Sequence, residues 1–251
     1  MLKKKESYLC LSAMLRAREP KLLNADKASR MLDASSFEEA AKLLTDCGYD
    51  DMSQMRTSEI EQALSDHRKE IFDEIERLSP DKIIPELFRM KYDYHNAKVI
   101  LKAEAMETKS DHLLSDAGRM SPALLKGLYH EEKYSSMPGG LGKAMEEAAS
   151  VLAMPAEKYC AFLAKLAVQS APDGEGQIVL NASDRKNYGE AVVKQANDAL
   201  GGKLTLSSET GDFAGGLIVR NGAVEVNNTL ELLIDLCRGD MAAEVAKILF
   251  G

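Results

Sequence analysis

The chain has 251 residues, of which 45% are hydrophobic and 29% are charged. This length accommodates one large globular domain or two modest ones, and the composition is too apolar for a disordered chain. The formal net charge of −8 argues against a general affinity for nucleic acid, because such binding depends on Lys and Arg displacing counterions from phosphates.

The four cysteines, Cys10, Cys47, Cys160 and Cys237, are too far apart for a CxxC metal or redox pair. Each occurs within an apolar helical pattern, so we expect four buried, reduced thiols. No apolar run approaches the ~18 residues that a membrane-spanning helix needs. We therefore expect a cytoplasmic protein that reaches a membrane only through its partners.

The beginning of the chain predicts a series of short helices. Apolar side chains recur at helical spacing over residues 7–18, and Glu19-Pro20 interrupts the pattern. Asp26 is placed to cap the next short helix, because its carboxylate can accept a hydrogen bond from a free backbone N–H. Ser35-Ser36 precedes a third helix, and Gly48 suits the left-handed position that follows a helix.

Longer helical patterns follow in the rest of the front part. A long amphipathic helix is predicted to begin at Ser58 and to end at Ser79-Pro80. Residues 81–106 predict a pair of helices, and residues 121–129 and 138–152 predict two short ones. No stretch of this front part alternates apolar and polar residues with the period of two that is typical of a strand. The front part is therefore predicted to be entirely helical.

The pattern changes after the turn-forming residues 171–174. In chain order the predicted elements are strand Gln177–Leu180, helix Asp184–Leu200, strands Lys203–Leu206, Leu217–Arg220 and Ala223–Val226, and helix Thr229–Phe250. Asn221-Gly222 predicts a type I′ turn, because both residues tolerate positive φ. The fold class is therefore α+β: an all-helical N-terminal bundle followed by a small mixed α/β domain, with a four-stranded sheet and a C-terminal helix.

Motifs for catalysis are incomplete. Gly201-Gly202-Lys203 and the glycine-containing residues 211–216 lack the GxxxxGK[ST] spacing that wraps a phosphate. His130-Glu131-Glu132 lacks the second histidine of a zinc-binding HExxH motif, and the other histidines are scattered. We therefore predict no catalytic, cofactor-binding or metal-binding residue and no cofactor, and the sequence assigns no particular partner-binding residue.

The strands on either side of Asn221-Gly222 indicate one surface of interest. An exposed strand edge could be extended by a partner strand through main-chain hydrogen bonds. Equally, the last helix could simply cover this edge. The residues leave both alternatives open.

An ordered set of distinctive strings runs through the front part. They are YLCLSAMLRAREPKLL at Tyr8–Leu23, FRMKYDYHNAKVILKA at Phe88–Ala103, and DAGRMSPALLKGL followed by KYSSMPGGLGKAMEEAAS, which ends at Ser150. These strings resemble the start of the C subunit (also called d) of the V/A-type rotary ATPases. The Tyr-Asp-x-x-Asn-x-Lys pattern of that family falls at Tyr92, Asp93, Asn96 and Lys98. Only the first of the several helical units of that family is present.

A second set of strings runs through the back part. They are EKYCAFLAKLAV, IVLNASDRKNYGEAVVKQAN, LTLSSETGDFAGGLIVRNGAVEVNNTLELLI and the final EVAKILFG. These strings resemble the C-terminal head domain of the E subunit, which forms part of the peripheral stalk of the same machines. The long helix with which the E subunit normally begins is missing, so the chain resembles a fusion of two partial subunits that meet near residue 152.

These resemblances imply a domain like the C subunit over residues 1–152 and a domain like the head of the E subunit over residues 153–251. They imply a non-catalytic structural component of a proton- or sodium-translocating rotary ATPase or ATP synthase. The C subunit seats the central stalk on the membrane ring, and the head of the E subunit clamps the catalytic hexamer. The implied partners are therefore the hexamer, the rotor stalk and the membrane ring. Halves taken from different subunits are expected to share little buried surface.

Two functions from other classes are also compatible with the residues. The first is a free-standing helical adaptor that shares only its patterning with these families, and it predicts no association with ATPase subunits. The second is an unrecognised hydrolase, which requires a nucleophile and a base together in a cleft.

Overall fold

The computed structural model describes residues 8–236, and the chain divides into two compact units. Among the described residues, the first unit comprises residues 8–90 and 115–119, and the second comprises residues 91–114 and 120–236. These units do not coincide with the two predicted halves, because most of the chain between residues 91 and 152 belongs to the same unit as the back part. The expectation that the two halves share little buried surface stays a prediction. The domain boundary at residue 152 stays a prediction. It separates two family resemblances in the sequence, and a division of the chain into compact units does not test such a boundary.

Helices build the first unit. They are α1 (Leu9–Arg18), α2 (Ala25–Leu32), α3 (Phe37–Leu43), α4 (Thr57–Leu78) and the beginning of α5 (Ile83–Ala105). The predicted interruption after α1 is confirmed, because Pro20 lies in a short 3₁₀ turn, Glu19–Lys21. Gly48 takes the predicted left-handed conformation, with φ of 86°, after a second 3₁₀ turn, Thr45–Cys47.

Small polar side chains cap α2 and α3. The Asn24 side chain accepts a 2.9 Å hydrogen bond from the Lys27 N–H, so Asn24 caps α2 and the predicted Asp26 does not. Asp26 lies instead in the first turn, where a negative charge favours the helix dipole. The predicted start of α3 is confirmed, since the Ser36 hydroxyl accepts a hydrogen bond from the Glu39 N–H.

Residues 83–105 form one continuous helix, so the predicted pair of helices over residues 81–106 was wrong. Pro85 is the third residue of α5, where a backbone N–H has no intrahelical partner to lose. The long helix predicted from Ser58 is α4, which begins one residue earlier and ends at Leu78 before Ser79-Pro80.

The second unit contains the end of α5 and several further helices. These are α6 (Pro122–His130), α7 (Gly140–Leu152), α8 (Ala156–Ser170) and α9 (Ala182–Leu200), with short 3₁₀ turns at Asp111–Leu113 and Tyr134–Ser136. Gly201 follows α9 in the left-handed conformation, and the helix ends at the predicted residue, Leu200. Residues 230–236 are helical, and the rest of the predicted helix Thr229–Phe250 lies outside the described residues.

Four strands form a mixed sheet in the second unit. They are β1 (Glu175–Asn181), β2 (Lys203–Gly211), β3 (Gly216–Asn221) and β4 (Val224–Thr229), in the spatial order β2-β1-β3-β4. β1 pairs in parallel with β2 through the crossover helix α9, and it pairs antiparallel with β3. The predicted all-helical front, four-stranded sheet and α+β class are confirmed.

The hairpin between β3 and β4 turns one residue later than predicted. Asn221 pairs with Val224, so the two loop residues are Gly222 and Ala223. Of these two, Gly222 has the positive φ, 59°. Positive φ at the first loop residue alone is typical of a type II′ turn, whereas the predicted type I′ turn needs it at both.

A continuous apolar core joins one face of the sheet to α8 and α9. Its fully buried members include Leu163, Ala167, Ile178, Leu180, Val192, Ala196 and Leu217. Cys160 belongs to this core and Cys47 is also buried, as predicted. Cys10 is exposed, so its predicted burial was wrong. Leu11 is the buried residue of α1, which shows that this helix buries a narrower face than its apolar pattern indicates.

Cys237 lies outside the described residues. Among residues 8–236, none of the helices combines the length and the apolar character that crossing a bilayer requires.

Candidate docking surface of the second unit

Residues 211–216, here called the GDFAGG loop, connect β2 to β3. Gly216 begins β3 with φ of 85°, a conformation that side chains rarely adopt. A Cβ atom at this position would lie 2.2 Å from the Asn228 carbonyl oxygen on β4. The loop therefore requires glycine where it enters the sheet.

A buried group of polar side chains fixes this loop through hydrogen bonds. The Tyr159 hydroxyl and the Asn181 amide both donate to Asp184 Oδ2, at 2.8 and 3.0 Å. Asn181 Nδ2 also donates to the Ala214 carbonyl at 3.2 Å, and the Gly216 N–H donates to the Tyr159 hydroxyl at 3.3 Å. Tyr159, Asn181 and Asp184, here called the Asp184 network, thus connect α8 and the start of α9 to the second half of the loop.

Local sequence explains how Asn181 and Asp184 come together. Asn181 is the last residue of β1 and the N-cap of α9, and its Oδ1 accepts a 2.7 Å bond from the Asp184 N–H. An Asn three residues before an Asp is a helix-start signal that can be read from sequence, although our prediction began the helix at Asp184. The contribution of Tyr159 has no local signal, since it lies 25 residues from Asp184.

Burial governs the protonation of this network. It raises the pKa of Asp184, although the hydrogen bonds from Tyr159 and Asn181 oppose that rise. It also raises the pKa of Tyr159, and the nearby Asp184 carboxylate raises it further. A neutral phenol held on a buried carboxylate stabilises the loop, and this pair offers no activated nucleophile to a substrate.

One carboxylate and one ion pair also hold the loop. The Ala214 N–H donates to Glu231 Oε1 at 2.7 Å, and burial raises the pKa of that carboxyl group. Lys102 Nζ lies 2.6 Å from Asp212 Oδ2 and also donates to the Asp212 carbonyl at 3.0 Å. The GDFAGG loop is therefore fixed by α8 and α9 and also by α5 and residues 230–236.

The residues of the Tyr-Asp-x-x-Asn-x-Lys pattern lie on α5, where they are buried, half-buried or ion-paired. Asp93 and Asn96 are fully buried, and Asp93 Oδ1 accepts a 3.3 Å bond from the Met120 N–H. Tyr92 is half-buried. Lys98 Nζ lies 2.7 Å from Asp235 Oδ2. A lysine of the front-part pattern therefore pairs with an aspartate of the back part, within the second unit.

β4 is an edge of the described sheet. Asn221 and Val224 close the two-residue loop as a hydrogen-bonded pair, so pairing alternates and the backbone N–H and C=O groups of Glu225 and Asn227 point away from β3. Val224 is 64% exposed on this strand. Residues beyond 236, which carry most of the last predicted helix, lie outside the described part, so the two alternatives for this edge stay open.

None of the four histidines considered in the sequence is fully buried. His67 contacts the Tyr49 ring at 4.5 Å between centroids, and His95 Nε2 lies 2.8 Å from the Leu113 carbonyl oxygen. His112 and His130 are exposed. Over residues 8–236, His, Cys, Asp and Glu side chains form no group that could hold a metal ion.

Curated proteins similar to this chain are components of V-type ATPases. It is 31% identical to the V-type proton ATPase E subunit of Clostridium botulinum (strain Eklund 17B / Type B) over 122 residues, 47% of this chain and 62% of the relative. It is 31% identical to the V-type ATP synthase E subunit of Acetivibrio thermocellus over 102 residues, 39% of this chain and 52% of the relative.

The chain is also 27% identical to the V-type sodium ATPase C subunit of Enterococcus hirae over 135 residues, 53% of this chain and 41% of the relative. It thus spans about two fifths to three fifths of the length of these relatives. The predicted resemblances to the C and E subunits are confirmed.

The model of one protein family, described as ATP synthase (C/AC39) subunit, matches residues 11–203. The match extends beyond residue 152, where we predicted that the front-part resemblance ends. Because it covers well over half of the sequence, this chain belongs to the ATP synthase (C/AC39) subunit family.

Proposed function

We propose that this chain is a non-catalytic structural component of a V/A-type rotary ATPase or ATP synthase. It holds other subunits in place, as a stator clamp or a torque-transmitting part, while partner subunits carry out ATP chemistry and proton or sodium transport. Membership of the C/AC39 family and the similarity to proteins named as C and E subunits support this proposal.

The observation that carries the proposal is the way the GDFAGG loop is fixed by two groups of contacts. The Asp184 network holds the loop through buried hydrogen bonds, and Lys102 and Glu231 hold it through charged contacts. The buried hydrogen bonds of the Asp184 network favour a single arrangement of the loop. A stator or torque-transmitting part needs this stiffness, because a compliant part would absorb the applied force.

The β4 edge provides the docking element in this proposal. The backbone groups of Glu225 and Asn227 point away from the sheet, and a partner strand could extend the sheet there by main-chain hydrogen bonds. Arg220 Nε lies 2.8 Å from Glu225 Oε2, and Arg220 Nη1 lies 2.7 Å from Glu209 Oε2. Because these charged side chains lie beside the edge, we expect a partner strand that pairs there to carry polar side chains.

Co-purification tests the proposal. The tagged full chain is purified from cells that carry a rotary ATPase, and bound proteins are identified by mass spectrometry. We expect catalytic subunits or a stalk subunit of that ATPase in the bound fraction, and we expect no ATP hydrolysis by the isolated chain. Recovery of neither kind of subunit would refute the proposal and favour a free-standing adaptor.

A matched pair of variants tests the edge separately. Glu225→Pro removes an outward N–H from an edge strand, whereas Glu225→Ala removes the side chain and keeps that N–H. We expect Glu225→Pro to reduce the captured ATPase subunits by about tenfold, the order expected when a main-chain contact and its neighbours are lost, and Glu225→Ala to capture as much as the natural chain. Equal capture by both variants would remove the edge from the docking surface.

A further inference from the structure

A cleft of about 400 Å³ opens in the helical part of the second unit, away from the GDFAGG loop. It is lined by the last turns of α5 and α6, the 3₁₀ turn Tyr134–Ser136 and one side of α7. This volume is within the range of small-molecule sites. Its acidic and aromatic lining consists of Glu104, Tyr129, His130, Glu132, Tyr134 and Glu146.

Three carboxylates give the cleft a concentrated negative charge. Glu104, Glu132 and Glu146 are all exposed, and within residues 8–236 none of them forms an ion pair. They do not constitute a metal-ligating group in that part of the chain. Their charge is therefore available to a cation that enters from outside.

The backbone places one of these carboxylates in an unusual position. Glu132 follows α6 in the left-handed region, with φ of 55°. The Glu132 N–H donates to the Tyr129 carbonyl, and the Lys133 N–H donates to the Leu128 carbonyl, which is the pattern of a Schellman motif. Glycine usually occupies this position, but here the residue carries a carboxylate into the cleft.

Aromatic rings form the rest of the wall. The Tyr129 and Tyr134 rings lie edge to face with centroids 6.3 Å apart, and the His130 ring lies 5.5 Å from Tyr129. Faces of such rings attract cations through their quadrupoles. This combination of rings and carboxylates favours an organic cation over a bare metal ion.

Tyr129 brings a hydroxyl group to the wall of the cleft. The residue is only 8% exposed, yet among the described residues its hydroxyl has no hydrogen-bond partner. Burial, followed by the charge of Glu104 and the proximity of Tyr134, raises the pKa of Tyr129 to about 12. The neutral hydroxyl therefore keeps a lone pair that can accept a hydrogen bond from an N–H donor in the cleft.

We propose that this cleft binds an organic cation, a guanidinium or alkylammonium group, between the Tyr129 and Tyr134 rings and the carboxylates of Glu104, Glu132 and Glu146. The cation belongs either to a free small molecule or to an Arg or Lys side chain of another protein. This binding site is separate from the β4 edge and does not depend on the proposed function.

Nuclear magnetic resonance titration of the full chain tests the site. The probes are n-butylguanidinium, n-butylammonium and the neutral n-butylurea, at equal concentrations and ionic strength. We expect the two cations to shift the amide signals of residues 129–134 and 146–150, and we expect the urea to leave them unchanged. Equal shifts with the neutral probe, or cation shifts spread evenly over the acidic surface, would overturn the proposal.

Variants separate a built site from general attraction to an acidic protein. Glu104→Gln with Glu146→Gln is expected to weaken butylguanidinium binding by about tenfold, and Tyr134→Leu by about fivefold, from the usual strengths of exposed ion pairs and cation–π contacts. The control Glu190→Gln with Asp198→Asn removes the same number of negative charges from the exposed face of α9 and is expected to leave binding unchanged. Unfolding curves establish that each variant is folded, and unchanged binding by the first two variants would refute the site.

Two further probes distinguish the sources of the cation. Spermidine represents a free polyamine, and a capped Ala-Ala-Arg-Ala-Ala peptide represents the side chain of a partner protein. Tighter binding of spermidine than of the peptide assigns the cleft to a small molecule, and the reverse assigns it to a docking side chain. Failure of both to shift the signals of the cleft would contradict the proposal.

Discussion

The two compact units differ in how much of their apolar surface they bury. In the second unit a continuous core of fully buried side chains joins the sheet to α8 and α9. In the first unit the 22-residue α4 has no buried residue, and several large apolar side chains are exposed. They are Leu9, Leu15, Leu22, Leu23, Leu32, Phe37 and Phe88.

Ion pairs between side chains are prominent among the contacts of the first unit. Arg89 Nη2 lies 2.9 Å from Asp73 Oδ1 and 3.3 Å from Glu76 Oε2, with the guanidinium 5.3 Å from the Phe72 ring centroid. Arg18 pairs with Glu74. Exposed ion pairs contribute little and are screened by salt, whereas buried apolar side chains contribute more each. The contrast indicates that the second unit is the more stable of the two.

The largest loss of stability is expected from a variant that creates a cavity in the core of the second unit. Leu163→Ala should destabilise that unit by about 4 kcal/mol, because Leu163 is fully buried at the centre of the core. Leu32→Ala, at a position that is 87% exposed in the first unit, should change stability by less than about 0.5 kcal/mol. Urea unfolding followed by circular dichroism measures both. Similar losses from the two variants would show that the contrast is wrong.

Variants of Asp184 test how much the buried polar contacts stabilise the second unit. Asp184→Ala leaves the Tyr159 hydroxyl and the Asn181 amide without their shared acceptor, so we expect a loss of about 3 kcal/mol. Asp184→Asn keeps one acceptor oxygen and removes the cost of a buried charge, so its loss should be smaller. Urea unfolding gives the values, and a larger loss for Asn than for Ala would contradict this account.

A variant of Arg89 tests how much the ion pairs stabilise the first unit. Arg89→Gln should destabilise α4 by about 1 kcal/mol, because two carboxylates lose their shared partner. Amide hydrogen exchange of α4 measures this loss at low and high salt. We expect the difference between natural chain and variant to shrink at high salt, and the matched control Lys69→Gln, at an exposed pair with Asp73, should have a smaller effect.

The smallest effect concerns tyrosine ionisation in the second unit. The folded chain raises the pKa of Tyr129 to about 12 and raises that of Tyr159 above its ordinary value. A raised folded pKa gives stability that is complete below the unfolded value, about 10, and is lost as the pH rises through the folded value. Absorbance at 295 nm should show fewer tyrosines ionising near pH 10 in the folded chain than in denaturant.

Tyr129→Phe and Tyr159→Phe should each remove one of these late titrations. Tyr8→Phe is the matched control, because Tyr8 is exposed at the start of the described chain. It should leave both of these late titrations in place. The opposite assignment of early and late titrations would contradict the burial of Tyr129 and Tyr159.

Local patterns predicted the elements well because their causes are local. The turn residues 171–174, the strand-like run at Ile178 and the glycine after α9 all act within a few positions, and each element appeared where it was expected. The errors also have local causes. Pro85 is harmless in the first turn of a helix, so α5 continues through it, and strand pairing moved the hairpin loop to Gly222 and Ala223.

The contacts of the candidate site could not be predicted in the same way. Lys98 and Asp235 are 137 residues apart, and Lys102 and the Asp212 carbonyl are 110 apart. Their pairing depends on how helices and sheet pack, and the sequence alone offers many other acids for each lysine. The Asn181 cap, by contrast, has a signal within three residues of Asp184.

The position of β1 inside the sheet has a consequence for how this chain is made. β1 leaves the ribosome before both of the strands that flank it, and its Ile178, Val179 and Leu180 are all buried in the finished fold. Synthesis of the about forty residues from Asn181 to Asn221 takes roughly two to eight seconds at the usual rate of translation. During this interval the apolar strand lacks at least one of its two partners and can associate with other nascent chains. Slower translation of this stretch would therefore lower the yield of folded protein while leaving its final stability unchanged.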